Sequence, residues 1–186
     1  MKITLPTAIT LLRIGLIPLF VVVFYLPFAG SNIAALVIFA LACISDWVDG
    51  YLARSMQLES PFGAFLDPVA DKLMVVVVII LLVEAHPSIA IALPSMVIVA
   101  REISISALRE WMAELGSRTT VSVSSIGKLK TTAQMLALGF MIYFEPLYGL
   151  PIFEIGLTIY YVAALLTIAS MVIYLRAAWP IITKNS

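Results

Sequence analysis

Four aspartates stand at helical spacing in one short segment of the chain. Asp46 and Asp49 are three residues apart, and Asp67 and Asp71 are four residues apart. Both intervals bring the two carboxylates of a pair to one face of an α-helix. Carboxylates gathered in a partly dry site repel each other unless cations lie between them. The spacing therefore predicts a site for divalent cations.

The all-carboxylate ligand set indicates which cations these would be. Carboxylate oxygens suit Mg²⁺, Mn²⁺ or Ca²⁺, whereas zinc sites are usually built with His and Cys. Two such ions about 4 Å apart would stabilise both the attacking and the leaving oxygen of a phosphoryl transfer. We therefore expect two divalent cations, Mg²⁺ or Mn²⁺, and phosphoryl-transfer chemistry.

Small and basic residues accompany the aspartates. Gly50, Ala53 and Gly63 lie close to them in sequence, and Arg54 follows Ala53. Small side chains would let a bulky ligand approach the backbone closely, although they also serve tight helix packing in membranes. Arg54 could bind a phosphate through two hydrogen bonds, or it could extend to the lipid headgroups.

The composition indicates that these aspartates belong to a membrane protein. Of the 186 residues, 62% are apolar and 12% are charged, and the formal net charge is zero. Soluble domains have roughly 45–50% apolar and about 25% charged residues, and a chain this small could not hide the excess from water. Balanced charge also argues against nucleic-acid binding, which needs a basic face. Membrane lipid is therefore an expected partner.

Six stretches are long enough to cross a bilayer, for which about 20 helical residues suffice. The turns between them are too short to separate domains. We therefore expect residues 1–186 to form one all-α domain, a polytopic membrane protein with six transmembrane helices. The predicted spans are Ile9–Phe28, Ile33–Arg54, Pro61–Val83, Ile89–Leu115, Ile126–Phe144 and Ile152–Ala178.

The distribution of basic residues predicts the orientation. All eleven Lys and Arg residues fall toward the end of the spans that the two termini share. Because basic residues concentrate on the cytoplasmic side, we expect both termini and the aspartates there. Asp46 and Arg101 would lie at matching depths, each about 20 Å along its helix. Isolated charges at that depth are costly, so they should line a polar cavity open to the cytoplasm and meet partners. An intramembrane Asp is one possible partner of Arg101.

The segment from Asp46 to Asp71 matches every fixed position of the pattern DxxDGxxAR, eight residues, then GxxxDxxxD. It resembles the signature of the CDP-alcohol phosphatidyltransferases. The resemblance implies a dimeric six-helix enzyme with two divalent metals, which transfers a phosphatidyl group from a CDP-linked lipid to an alcohol and releases CMP. It also implies that Asp46, Asp49 and Asp67 are metal ligands, that Asp71 shares a metal, and that Asp71 is the general base.

A second motif of this family, Pro-Asn-x-x-Thr-x-x-Arg, reads Pro6-Thr7-Ala8-Ile9-Thr10-Leu11-Leu12-Arg13 in this chain. Thr7 replaces the family's Asn, so the side-chain amide that could contact the nucleotide is missing, while Thr10 and Arg13 are present. With the small residues and the arginine of the first motif, the expected contacts to the CDP-lipid are Thr10, Arg13, Gly50, Ala53, Arg54 and Gly63.

Two further segments, Arg101–Gly116 and Gly127–Gln134, look like the bacterial phosphatidylglycerophosphate synthases of this family. The resemblance implies CDP-diacylglycerol as donor, glycerol 3-phosphate as acceptor and a place in the bacterial inner membrane. A dianionic acceptor needs cations, although the positive-inside bias also places basic residues here. The candidates for the acceptor phosphate are Arg101, Arg109, Arg118 and Lys128.

Other functions remain open at this point. A sister enzyme would use serine, inositol phosphate or phosphatidylglycerol as acceptor; a cationic pocket favours a phosphorylated acceptor over serine, and the Arg101–Gly116 resemblance favours glycerol phosphate over inositol phosphate. The alternative from another class is a divalent-cation or proton transporter. A transporter would be expected to carry polar groups through the full depth of the bundle, whereas the outer halves of these helices are almost purely apolar.

Overall fold

The computed structural model describes residues 5–56, 61–114 and 125–184. Within these ranges the chain forms six α-helices, and its one β-type contact is an isolated bridge between Leu147 and Leu150. The all-α class is therefore confirmed. The helices are α1 (Leu5–Tyr25), α2 (Ser31–Met56), α3 (Pro61–Ala85), α4 (Ile89–Glu114), α5 (Ser125–Tyr143) and α6 (Ile152–Lys184).

Local backbone chemistry explains where two of these helices end. α1 stops at Tyr25, before the predicted Phe28, because Pro27 disfavours a helical residue in front of it and has no N–H to donate. Gly30 then adopts a φ of +87°, a left-handed conformation open to glycine, and the chain turns into α2. α5 ends at Tyr143, because Phe144 has a φ of +42° and leaves the helical region.

The chain divides into two compact units. Unit 1 comprises Met1–Ala85 and Leu138–Phe153, and so holds α1, α2, α3 and the end of α5. Unit 2 comprises His86–Ala137 and Glu154–Ser186, and so holds α4, most of α5 and α6. Compactness alone does not test whether the units fold independently, so the single domain over 1–186 stays a prediction.

Contacts at the helix ends set the directions of the helices in unit 1. α1 packs along both α2 and α3, and the described residues of α2 and α3 touch each other only briefly. Tyr25 at the end of α1 donates a 3.4 Å hydrogen bond to Glu84 at the end of α3, so these two helices run in the same direction. Asn32 at the start of α2 donates a 2.8 Å hydrogen bond to the carbonyl of Tyr143, which holds α2 to the end of α5.

Polar contacts also order unit 2. α4 and α6 are joined by three hydrogen bonds whose partners advance together along both helices, so α4 and α6 run in the same direction. The pairs are Ser95–Tyr160 at 3.0 Å, Arg101–Ser170 at 3.2 Å and Arg109–Tyr174 at 3.3 Å. Apolar residues pack around the last pair and bury the Tyr174 ring. They are Ile105, Leu108, Met112 and Ala178, with Met171 beside them.

Every helix exposes large apolar side chains. Leu12, Ile80, Ile103 and Leu165 are all 59–66% exposed, for example. Soluble proteins rarely present such surface to water, because each Å² of it costs about 25 cal/mol. Within the described ranges three helical segments are long and apolar enough to cross a bilayer, namely Thr7–Tyr25, Ile89–Glu114 and Ile152–Pro180. The chain is therefore a membrane protein.

Candidate active site

Asp46 is the signature aspartate whose side chain the structure describes. Its Oδ1 lies 2.9 Å from Nη1 of Arg13, which reaches it from α1. The Arg13 side chain is 1% exposed, whereas that of Asp46 is 47% exposed. The ion pair therefore provides a countercharge for a buried guanidinium, as a buried cation requires, and leaves the carboxylate accessible from its other side.

Further polar groups hold this pair in place. Thr7, Thr10 and Arg13 recur at three-residue intervals on α1 and are all buried. Nε of Arg13 donates a 3.4 Å hydrogen bond to Oγ of Ser45, whose own hydroxyl donates to the carbonyl of Ala42 at 2.8 Å. Arg13 thus contacts two successive residues of α2. The contacts of Thr10 and Arg13 with a CDP-lipid stay predictions.

The other signature residues lie on the helices where the spacing puts them. Asp49 shares α2 with Asp46, and Asp67 shares α3 with Asp71, so each predicted pair belongs to one helix. The side chains of Asp49, Asp67 and Asp71 are outside the described residues, and in the described part no three His, Cys, Asp or Glu side chains form a cluster. The convergence of all four carboxylates, metal binding and the role of Asp71 therefore stay predictions.

The structure gives the helix positions of the small residues and of Arg54. Gly50, Ala53 and Arg54 lie on the last turns of α2, and their side chains are outside the described residues. Gly63 is in the first turn of α3 and is buried. Their contacts to a CDP-lipid stay predictions. The described carboxylate of the signature, that of Asp46, fits a hard-cation site, because it is ion-paired with Arg13 and its side chain is half-exposed.

Arg101 confirms the expectation that a charge deep in α4 needs partners. The residue is 7% exposed; Nη2 donates to Oγ of Ser170, and Nη1 lies 3.3 Å from Oε1 of Glu102. Its Cζ also lies 5.4 Å from the centroid of the Tyr174 ring. Its Nε has no hydrogen-bond partner among the described residues. Arg101 thus pairs with Glu102, whereas the described signature aspartate, Asp46, pairs with Arg13.

Arg109 lies two turns further along α4 and meets the same tyrosine. Nη2 of Arg109 donates a 3.3 Å hydrogen bond to the Tyr174 hydroxyl, and its Cζ is 5.2 Å from the ring centroid. The other two candidates for the acceptor phosphate are less defined. Arg118 is outside the described residues, and Lys128 is on α5 with a side chain outside them. Phosphate binding by all four stays a prediction.

The structure adds polar residues to the four basic candidates for the acceptor phosphate. Lys130 on α5 is 3% exposed and forms an ion pair with Glu102. Gln134, one turn later, is also 3% exposed, and its Oε1 has no hydrogen-bond partner among the described residues. Ser170 and Tyr174 are four residues apart on α6. That interval between polar residues in an otherwise apolar helix is the signal that indicates a polar stripe.

Comparisons with known proteins identify the family of this chain. A family model described as CDP-alcohol phosphatidyltransferase matches residues 3–179, a range that includes the Asp46–Asp71 signature and the Arg101–Tyr174 contacts. The chain belongs to the CDP-alcohol phosphatidyltransferase family. The resemblance drawn from the signature is thereby confirmed.

Individual relatives are similar along nearly their whole length. The chain is 51% identical over 178 residues to a protein from Salmonella paratyphi A, with 96% of each chain covered. It is 50% identical, with the same coverage, to proteins from Shigella flexneri serotype 5b and Escherichia coli K12. All three relatives carry the name CDP-diacylglycerol–glycerol-3-phosphate 3-phosphatidyltransferase.

Proposed function

We propose that this chain transfers the phosphatidyl group of CDP-diacylglycerol to glycerol 3-phosphate, giving phosphatidylglycerophosphate and CMP. The observation that carries the proposal is the identity of about one half, over 96% of both chains, to proteins named for this reaction. The complete signature from Asp46 to Asp71 supports it, because its four carboxylates could bind the divalent cations that neutralise a pyrophosphate.

The four signature carboxylates are the residues that would hold two Mg²⁺ or Mn²⁺ ions. Such ions, when bound, supply charge neutralisation to the pyrophosphate and to the leaving CMP. The described geometry of Asp46 supports its part in this, since Arg13 orients the carboxylate from one side and leaves the other open. Arg54, with Gly50, Ala53 and Gly63, would bind and accommodate the CDP-lipid.

Asp71 acts as the general base in this proposal. Its carboxylate accepts the proton of the 1-hydroxyl of glycerol 3-phosphate, and the oxygen attacks the phosphorus that carries diacylglycerol. A bond from this oxygen to phosphorus forms while the bond from phosphorus to the CMP oxygen breaks. Positioning and charge neutralisation supply most of the acceleration in phosphoryl transfer, so the protein's main task is to orient the hydroxyl against the phosphorus.

Basic residues of α4 and of the region after it bind the acceptor phosphate in this proposal. Arg101 and Arg109 hold it, with Arg118 and Lys128 assisting from the region that follows α4. The described contacts support this role, because Arg101 and Lys130 both pair with the carboxylate of Glu102, and Arg101 and Arg109 both lie against the Tyr174 ring. The cluster therefore has positive charge in excess, as the binding of a phosphate dianion requires.

All six helices cross the membrane in this proposal, with both termini, the signature aspartates and a polar cavity facing the cytoplasm. The parallel pairs α1 with α3 and α4 with α6 support it, since alternating crossings place odd helices in one direction and even helices in the other. The eleven basic residues toward one end support the cytoplasmic assignment. The bacterial inner membrane follows from the bacterial relatives, and homodimerisation from the family resemblance.

Cysteine labelling tests the orientation in whole cells. In a Cys43→Ser background, Tyr148→Cys, which replaces a residue 97% exposed in the loop after α5, should react with a membrane-impermeant maleimide. Lys2→Cys should react only after the cells are opened. The reverse pattern, or labelling of both in intact cells, would contradict the proposed orientation.

The reaction is tested with purified protein. CDP-diacylglycerol and Mg²⁺ or Mn²⁺ are supplied, each acceptor is offered separately, and CMP release and the lipid product are measured. We expect CMP and phosphatidylglycerophosphate with glycerol 3-phosphate alone. Turnover with serine, inositol phosphate or phosphatidylglycerol instead would assign a sister activity. Metal flux into proteoliposomes without CMP release would assign a transporter.

A further inference from the structure

Tyr174 lies between the two cationic side chains of α4. The ring is 3% exposed and is held by Ile105, Leu108, Met112 and Ala178. The guanidinium carbons of Arg101 and Arg109 lie 5.4 Å and 5.2 Å from its centroid, and its hydroxyl accepts a hydrogen bond from Arg109. One fixed ring on α6 therefore contacts both arginines.

Bringing two guanidiniums to one ring has an electrostatic cost. Two positive charges near one ring repel each other, although the exposure of Arg109 to solvent weakens this repulsion. The described counterion in contact with Arg101, Glu102, also pairs with Lys130. The electron-rich face of an aromatic ring attracts a guanidinium and offsets part of that repulsion. The Nε of Arg101 has no hydrogen-bond partner among the described residues, although the side chain is only 8% exposed. The arrangement therefore concentrates positive charge at this place before any anion binds.

We propose that Tyr174 is a positioning residue that holds Arg101 and Arg109 as a paired phosphate-binding surface for the acceptor. This inference rests on the proposed function, since it names the phosphate of glycerol 3-phosphate as the anion. Tyr174 acts through the two arginines and does not touch the reacting atoms. The hydroxyl fixes Arg109 by a hydrogen bond, and the ring attracts both guanidiniums.

The two contributions of Tyr174 can be removed one at a time. Tyr174→Phe keeps the ring and loses the hydrogen bond, so the KM for glycerol 3-phosphate should rise about fivefold. Tyr174→Leu loses both, and the rise should exceed about tenfold. In both variants kcat and the KM for CDP-diacylglycerol should stay within about twofold of wild type, because neither Arg101 nor Arg109 is proposed to contact CDP-diacylglycerol.

Tyr160→Phe is the matched control. Tyr160 is also a buried tyrosine of α6, and its hydroxyl shares a 3.0 Å hydrogen bond with Ser95 of α4, yet it contacts no arginine among the described residues. It therefore reproduces the loss of one buried hydroxyl contact between the same two helices. We expect its KM for glycerol 3-phosphate to match that of wild type. An equal rise in Tyr160→Phe and Tyr174→Phe would overturn the positioning role.

A double-mutant cycle shows whether Tyr174 acts through Arg109. Arg109→Ala alone should raise the KM for glycerol 3-phosphate, and adding Tyr174→Phe should raise it no further, since the hydrogen bond is already absent. If the two increases multiply, Tyr174 acts independently of Arg109 and the proposal is wrong. Tyr174→Phe alters only one oxygen, so the cycle still decides the question if Tyr174→Leu does not fold.

Binding of inorganic phosphate separates this inference from the proposed reaction. The full-length protein in detergent micelles is titrated calorimetrically with phosphate; wild type and Tyr160→Phe should bind alike, and Tyr174→Leu about tenfold more weakly. If wild type releases no CMP with glycerol 3-phosphate but the phosphate affinities differ in this way, the reaction is wrong and the positioning role stands. If CMP is released but neither KM nor phosphate affinity distinguishes Tyr174→Leu from Tyr160→Phe, the positioning role fails alone.

Discussion

Arg13 on α1 and Asp46 on α2 form an ion pair whose two partners differ sharply in exposure. Nη1 and Oδ1 are 2.9 Å apart, and the side chains are 1% and 47% exposed. Because the guanidinium is enclosed, the accessible charge of the pair is negative. A cation that approaches this part of α2 therefore meets a carboxylate whose orientation is already fixed by Arg13.

Replacing Arg13 tests this orienting role. Arg13→Lys keeps the charge but loses the planar fork that fixes a carboxylate, so the Mg²⁺ concentration for half-maximal CMP release should rise about fivefold. Ser45→Ala is the control and should have little effect, because it removes the 3.4 Å contact to Nε and the hydrogen bond to the Ala42 carbonyl but leaves the ion pair. A raised KM for CDP-diacylglycerol with an unchanged metal response would instead favour direct contact between Arg13 and the lipid nucleotide.

Asp46→Asn should weaken metal binding. An amide oxygen is a neutral and weaker ligand than a carboxylate, so we expect the half-maximal Mg²⁺ or Mn²⁺ concentration to rise about tenfold or more. Calorimetric titration with Mn²⁺ in the absence of substrates provides a second readout. An unchanged metal response in both measurements would exclude Asp46 as a ligand.

Asp71→Asn should leave a folded but nearly inactive protein. General-base catalysis contributes roughly 10²–10⁴-fold, so kcat should fall at least about a hundredfold, and added Mg²⁺ should not restore it. Glu84→Gln is the control on the same helix, because Glu84 is exposed and contacts only Tyr25 among the described residues. Normal turnover by Asp71→Asn would rule out this residue as the base.

Glu102→Gln should lower the stability of unit 2. Lys130 is 3% exposed and Arg101 is 7% exposed, and both pair with the Glu102 carboxylate. Loss of that charge removes the described counterion that these two buried cations share, which costs about 1–3 kcal/mol; thermal unfolding in detergent should show a lower Tm. Glu110→Gln, an exposed position on the same helix, should not. If Lys130→Met in the Glu102→Gln background does not raise the Tm again, this explanation is wrong.

The sequence predicts the helices well because long apolar runs and turn residues dominate them. α3 was expected to begin at Pro61 and α6 at Ile152, and both do. The end of α1 was placed too late, at Phe28, because an apolar run continues past Pro27 while the backbone cannot. α6 extends to Lys184, beyond the expected Ala178, because a helix does not need apolar residues after it leaves the apolar layer.

The candidate site could be predicted only in part. The spacing places Asp46 with Asp49 and Asp67 with Asp71 on shared helices, and the depth of Arg101 correctly indicates that it needs partners. Its contact with Tyr174 could not be predicted, because that residue is more than 70 residues away and a tyrosine in an apolar helix usually serves packing. Pairing across helices depends on their register, which composition does not encode.

The three hydrogen bonds between α4 and α6 also restrict how this protein can move. They join successive levels of two helices that run in the same direction, from Ser95–Tyr160 through Arg101–Ser170 to Arg109–Tyr174. Sliding α6 along α4 by one helical turn, about 5.4 Å, would break all three together. α4 and α6 therefore form a rigid pair within unit 2, and a shift of one helix along its axis has to carry the other with it.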